Sequence, residues 1–319
     1  MGTQGEPPSF SVLIPAYEAA ATIGEALDSL RAQTLAPAEV LVCDDGSSDD
    51  LAAALEPYQG FVQLLHGEHR GVAAARNSLL RAASGDFVVP LDADDVYAPT
   101  RLQRLAELAA ANPDLDILST DATFVSAGRP VGRFNERTPF AAEAQEEAIL
   151  DRCFIICPAM RRSRLLDLGG YDESLRTAED WDVCIRLILS GSSAGLVDES
   201  LLEYRLGGES LTARRSQTLR ERVYVLEKAA ETAGISPTTR VAAERAVSHH
   251  RGRALQQAAM EAVAEGSPTA RRTLRAVARS RDVGLRARIG AAVACITPRD
   301  QSQRILEATL SGSTGRPGG

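Results

Sequence analysis

The sequence predicts an α/β fold: a mostly parallel sheet flanked by helices, followed by an all-helical region. Short apolar runs alternate with helix-period segments from residue 9 to residue 119, the pattern of strands joined by crossover helices. Three of those runs end in polar, acidic turns, and from about Ser216 onward only helical spacing remains.

Residues 9–14 are apolar and stop at Pro15. Ile23, Ala26, Leu27 and Leu30 then recur at helical spacing, so the start reads as strand, turn, helix. Residues 39–43 repeat the strand signal before the turn Asp44-Asp45-Gly46-Ser47, and Leu51, Ala54 and Leu55 resume helical spacing. Strands at 61–65, 87–91 and 115–119 and helices at 72–83 and 100–111 continue the alternation, with right-handed connections expected. Residues 121–164 lose this rhythm. Turn signals at Gly128-Arg129-Pro130 and an acidic helix-like stretch at 143–151 read as an insertion that decorates the sheet. Order returns at 165–172, with a helix over 178–189 stopped by Gly191 and short strands near Leu196 and at 201–204. The expected organisation is a disordered start at 1–8, one α/β domain at 9–215, a helical region at 216–310 and a disordered tail at 311–319.

The 319 residues are 44% apolar, 24% charged and 4% aromatic, enough for a sizeable core without disulfides. A formal charge of -8 and a pI near 5.2 argue against a surface built for nucleic acid. The five cysteines are scattered with no CxxC spacing, so neither a disulfide framework nor a zinc cluster is indicated, and a reducing cytoplasm is the expected setting. The first residues lack the basic and apolar parts of a secretory signal, and no apolar run approaches the roughly 18 residues of a membrane span.

Pro15-Ala16-Tyr17-Glu18, Asp44-Asp45-Gly46-Ser47 and Asp92-Ala93-Asp94-Asp95 each follow an expected strand of one parallel sheet, on the edge where open α/β sheets bind ligands. The aspartates gathered there repel one another unless a cation compensates. Hard oxygen ligands with no histidine or thiolate among them suit Mg²⁺ or Mn²⁺, ions that keep positions open for substrate phosphate oxygens.

The segments SVLIPAYE, VCDDGSSD, GVAAARN, FVVPLDADD, LGGYDE and TAEDW, in this order and spacing, resemble family 2 inverting glycosyltransferases of the GT-A fold over roughly residues 9–210. The resemblance implies a metal-dependent, non-processive transferase. It would move a sugar from a nucleotide-sugar donor, UDP-linked by default, to a hydroxyl of a glycan, a lipid-linked sugar or a small molecule. It implies nucleoside contacts from Pro15, Ala16, Tyr17, Glu18, Asp44 and Asp45, donor contacts from Asp92 and Ala93, and Asp94 as the metal ligand. Alternate residues of an extended segment face one side, so Asp92 and Asp94 can share one ligand environment. Taken singly, each turn also reads as an ordinary Asp-Gly turn or a helix cap.

Arg70 and Arg76, before and within the helix at 72–83, can meet phosphate oxygens; Arg76 can equally pair with an aspartate to stabilise the fold. Glu179-Asp180-Trp181 opens a helix, with Asp180 as candidate general base and capping as the alternative. Glu179, Trp181 and Met160 are acceptor-side candidates. Arg205, with Tyr204, Ser210 and Thr212, resembles a loop that closes over the diphosphate, although a histidine common there is missing from Gly207-Gly208-Glu209.

Other signals carry less. Gly191-Ser192-Ser193-Ala194-Gly195 matches GxSxG but follows a helix and precedes a strand, the reverse of a nucleophile elbow. His66, His69, His249 and His250 read as surface-loop residues. Arginines of 271–288 alternate with Leu274, Val277, Leu285, Ile289 and Val293 as amphipathic helices broken near Gly284. Such helices pack on their own domain, on a second copy, or lie on anionic lipid, which would place the chain at the inner face of the membrane. Two other functions remain open: a sugar nucleotidyltransferase, which should carry a Gly-rich arginine-containing turn where this chain has Pro15-Ala16-Tyr17, and a non-catalytic nucleotide-binding scaffold.

Overall fold

The computed structural model describes residues 7–206, 215–297 and 299–310. Expected disorder at 1–8 and 311–319 therefore falls almost wholly outside the described residues, as do Gly207, Gly208, Glu209, Ser210 and Thr212. The chain divides into two compact units, Met1–Ser210 and Leu211–Gly319.

The first unit begins with β1 (Phe10–Ala16), α1 (Ile23–Arg31), β2 (Glu39–Asp44), α2 (Leu51–Leu55), β3 (Val62–His66), α3 (Val72–Ala82) and β4 (Phe87–Pro90). β1 is apolar from Val12 to Ala16 because both faces are covered: Val12, Leu13 and Ile14 are fully buried. Helix α1 buries Ile23, Ala26, Leu27 and Leu30, one stripe at helical spacing, into the same core. The unit continues with β5 (Val96–Tyr97), α4 (Arg101–Ala111), β6 (Ile117–Ser126), β7 (Arg129–Arg133), α5 (Phe134–Arg137), α6 (Gln145–Asp151), β8 (Ala159–Arg161), α7 (Arg162–Asp167), α8 (Glu179–Leu189) and β9 (Ala194–Leu206).

These strands form a mixed sheet in the order β3-β2-β1-β4-β8-β6-β9-β5, with β7 added to β6. The run β3-β2-β1-β4 is parallel. Beyond β4, the short strand β8 runs antiparallel to both β4 and β6, and β6 pairs in parallel with β9. Residues 121–164 are thus part of the sheet rather than decoration: they supply the far half of β6, all of β7 and all of β8. β8 has three residues, too few for a period to register. The two short strands expected near 196 and 201–204 are one strand. Thr120 pairs with Val197 and Asp121 with Ser200, so Asp198 and Glu199 bulge out and interrupt the apolar pattern.

The second unit is helical in its described residues: α9 (Arg215–Ala230), α10 (Pro237–Ala264), α11 (Ala270–Arg279), α12 (Leu285–Ala294) and α13 (Arg299–Leu310). Its core is built from small and medium side chains, among them Ala259, Val263, Leu274, Val277, Ala287, Ala291 and Leu306. His250, expected on a surface loop, lies inside α10 and is buried.

Candidate active site

Parallel pairing brings the ends of β1, β2 and β4 to one edge of the sheet. Ala16 lies opposite Asp44, the Asp45 amide donates to the Ala16 carbonyl at 2.8 Å, and the Leu91 amide donates to the Leu13 carbonyl at 3.0 Å. The three acidic turns named from sequence therefore share one rim.

At the first two turns the carboxylates are engaged by the chain itself. Asp44 Oδ1 accepts from the Ser47 amide at 2.8 Å, and Glu18 Oε1 accepts from the Ser48 amide and hydroxyl, both at 2.8 Å. Those two bonds hold the Glu18 carboxyl below its ordinary range. Asp45 is buried and accepts from the Arg70 amide at 2.9 Å and the Gly71 amide at 2.7 Å, fixing the loop that enters α3. Gly71 has φ +97, a conformation that favours glycine, so its amide can turn to Asp45. Tyr17 is half exposed and lies 4.2 Å from the His69 ring, centroid to centroid, making a two-ring platform beside Asp45. His69 was not legible as part of a site, because nothing in sequence sets it beside Tyr17.

The third turn differs. Asp92 is partly exposed, Ala93 is buried, and Asp94 is exposed with its carboxyl raised by desolvation and by Asp92. Asp95 is buried; one oxygen accepts from the Arg205 amide at 2.9 Å, the other has no hydrogen-bond partner, and burial pushes its pKa up to about 8.

Arg76 joins this turn to α8. From within α3 its buried guanidinium donates to Asp92 Oδ1 at 2.8 Å and to Glu179 Oε1 at 2.6 Å. One cation faces Asp92, Glu179 and Asp180, so its own pKa rises although desolvation opposes that. Burial pushes Glu179 up to about 7 against the pull of Arg76. The next residue, Asp180, points its carboxylate to solvent and accepts from the Trp181 amide at 2.7 Å at the positive end of α8. Tyr204, near the end of β9, borders the same space: burial raises its hydroxyl pKa, and Asp92, Asp95 and Asp180 all add to the shift.

Several candidates serve the frame. Met160 is 1% exposed, seated in β8 between Val88 and Ile117, and offers nothing to an acceptor. Trp181 is buried and its indole N–H donates to the Ile149 carbonyl at 2.7 Å, tying α8 to α6. Arg70 is exposed and paired with Glu173, while the Arg205 guanidinium pairs with Glu25 on α1. Asn77, which sequence placed beside Arg76, holds Tyr171 through its amide and carbonyl at 2.8 and 2.7 Å. Fully buried Arg101 ties Thr120 to the Cys157 carbonyl, both at 2.6 Å, and was missed because a buried arginine in an amphipathic helix leaves no periodic mark.

Among the described residues no group of three or more His, Cys, Asp or Glu side chains is arranged to hold a metal alone. What the rim does present is the exposed Asp94 carboxylate next to Asp92 and the partnerless buried oxygen of Asp95. A hard divalent cation at this rim would take Asp94 as its exposed protein oxygen donor, with its remaining positions left to ligand and water oxygens.

The fold has solved counterparts. The chain superposes on Staphylococcus aureus TarS, residues 1–349, in complex with UDP-GlcNAc, with a TM-score of 0.68 at 21% identity, covering 95% of this chain and 92% of that one. It also superposes on the mannosyltransferase PcManGT from Pyrobaculum calidifontis in complex with GDP-Man and Mn²⁺, with a TM-score of 0.60 at 24% identity, covering 97% and 87%. The architecture is that of the GT-A glycosyltransferases. The sequence profile of glycosyl transferase family 2 matches residues 11–169, and through this segment the chain belongs to that family. A curated relative is the Escherichia coli UDP-Glc:alpha-D-GlcNAc-diphosphoundecaprenol beta-1,3-glucosyltransferase WfgD, 28% identical over 222 residues, 68% of this chain and 84% of that protein.

Proposed function

We propose that this protein is a metal-dependent, inverting, non-processive glycosyltransferase that moves one sugar from a nucleotide-sugar donor to an acceptor hydroxyl. The observation that supports the reading is Arg76: one guanidinium pairs with Asp92, two residues before the exposed Asp94, and with Glu179, one residue before the exposed Asp180. The Tyr17–His69 platform beside Asp44 and Asp45 suits a flat base and its ribose. A UDP-sugar is the donor we favour, in keeping with the donors in the names of WfgD and the TarS complex.

Asp180 is the base. The acceptor oxygen attacks the anomeric carbon opposite the diphosphate, its proton passes to the Asp180 carboxylate, and the anomeric C–O bond breaks as the nucleoside diphosphate leaves with the bonding pair. Mn²⁺ or Mg²⁺ held through Asp94 would neutralise charge growing on that diphosphate. Glu179 is occupied by Arg76 and keeps the guanidinium in place. The acceptor is a hydroxyl of a glycan, a lipid-linked sugar or a small molecule, and the setting is the cytoplasm or the inner face of the membrane.

The test is a panel of nucleotide sugars with Mn²⁺, followed by NMR assignment of the anomeric configuration of the product. Asp180→Asn should bind donor as the parent does while transfer falls about 10²- to 10⁴-fold. Retained configuration, or undiminished transfer by the Asp180→Asn protein, would refute the mechanism.

A further inference from the structure

Within the second unit, α12 is apolar on two faces. Ala287, Gly290, Ala291 and Ala294 are buried against the unit's core, while Leu285, Ile289 and Val293, with Ile296 in the turn that follows the helix, are 70%, 57%, 41% and 84% exposed. Steps of four residues put Leu285, Ile289 and Val293 on one stripe. With Ile305 and Thr309 of α13, that stripe lines an open groove of about 570 Å³ whose edge carries Arg286. The groove exists because α13 approaches closely: a Cβ added to Gly290 would lie 2.3 Å from the Thr309 hydroxyl.

The charge of the segment that holds α11 and α12 runs against the rest of the chain. Residues 266–297 contain seven arginines and a single acidic residue, Asp282, in a protein of formal charge -8. Arg271, Arg272, Arg275 and Arg279 of α11 are exposed, and among the described residues none of them pairs with a carboxylate. Helices α11 and α12 pack directly. Packed helices lie about 8–10 Å apart, about one Debye length at physiological salt, so the charge of α11 is felt at the α12 stripe.

We propose that this face docks on an anionic phospholipid surface, the α12 stripe entering the acyl boundary and the arginines holding headgroup phosphates. A second copy of the chain is a poorer occupant, because joining two such faces brings two arginine sets together. Residues 311–319, SGSTGRPGG, carry no large apolar side chain to fill the groove. The proposal goes beyond the transferase reading and stands without it.

Flotation of the full chain with phosphatidylcholine vesicles, with and without phosphatidylglycerol, tests it. The parent should float with the anionic vesicles, weakly with the neutral ones, and less as salt rises. Leu285→Ser with Ile289→Ser should cut partitioning by about tenfold or more, since these side chains are solvent-exposed in the free protein and buried only in lipid. Each of Arg271→Gln, Arg272→Gln and Arg275→Gln should weaken it about fivefold, with melting temperatures unchanged. Equal flotation with neutral vesicles, none with anionic ones, or unaltered flotation of the Leu285→Ser/Ile289→Ser protein and of the three arginine variants would overturn the proposal. So would light scattering that finds a parent dimer and a Leu285→Ser/Ile289→Ser monomer, which would assign the groove to a second copy.

Discussion

At the turns after β1 and β2, Glu18, Asp44 and Asp45 accept hydrogen bonds from Ser47, Ser48, Arg70 and Gly71 of the same rim. At the turn after β4, Asp94 faces solvent, Asp95 keeps one oxygen without a partner, and Asp92 is held by a guanidinium shared with α8. The contrast extends to protonation: Glu18 is held down by its bonds to Ser48, whereas Asp94 and Asp95 are raised by desolvation and by each other's neighbour Asp92. A carboxylate supplied with amides belongs to the frame, and one left short of donors is poised for a cation or a proton. Three acidic turns at one sheet edge therefore divide into two whose carboxylates are held by the chain's own amides and hydroxyls and one whose carboxylates are left short of donors.

The largest effect should come from the third turn. Asp94→Ala is expected to lower metal-dependent kcat/KM by about a thousandfold, the scale of losing one strong charge-stabilising contact, with little change in melting temperature because the side chain is exposed. Chelation of the divalent ion should cause a comparable loss in the parent and none in the variant. A variant as active as the parent would erase the distinction between the turns.

Arg76→Met comes next, and its effect is on stability. The substitution leaves Glu179 buried beside Asp92 and Asp180 without a cation, and breaking a buried pair from one side costs about 3–5 kcal/mol. Chemical denaturation reads this out; a cost under about 1 kcal/mol, the scale of a surface pair, would mean the clamp is not what joins α3 to α8. Asp45→Ala should cost less, about 1–3 kcal/mol, by orphaning the Arg70 and Gly71 amides. Its transferase rate per folded molecule should fall far less than that of Asp94→Ala, and the reverse order would move Asp45 from frame to chemistry.

Much of this was legible in sequence because a parallel strand followed by a polar turn and a helix announces both a position and a direction. That reasoning put Ala16, Asp44 and Asp92 at one edge and opened a helix at Glu179. It failed where an element is shorter than its own period, as in β8, and where a bulge at Asp198 and Glu199 split one strand into two. It failed also for side chains whose role depends on a distant partner. Met160 and Trp181 read as acceptor-side residues and are packed inside, while His69 joined the rim only when the chain folded. Whether Asp45 meets a ligand or two amides is decided by the backbone path of the loop before α3, and that path leaves no compositional trace.

A pH series separates the two kinds of carboxylate by the sign of their dependence. Glu179 titrates near 4.5 in the unfolded chain and near 7 in the folded one, raised by burial against Arg76. Between those values the native state binds more protons than the unfolded state, so stability is greatest below 4.5 and declines as pH rises towards 7, by at most about 1.4 kcal/mol per pH unit. Glu179→Gln removes that contribution, so denaturation midpoints of the variant, measured in chelator, should fall less steeply across this window than those of the parent. Glu18 has the opposite sign: its lowered pKa contributes stability above its unfolded value that is lost as pH falls, so Glu18→Gln should flatten the acid limb and leave the neutral window alone. Parallel parent and Glu179→Gln curves from pH 4.5 to 7 would show that Arg76 keeps Glu179 ionised throughout. The clamp would then be a plain ion pair, and the division among the turns would rest on Asp94 and Asp95 alone.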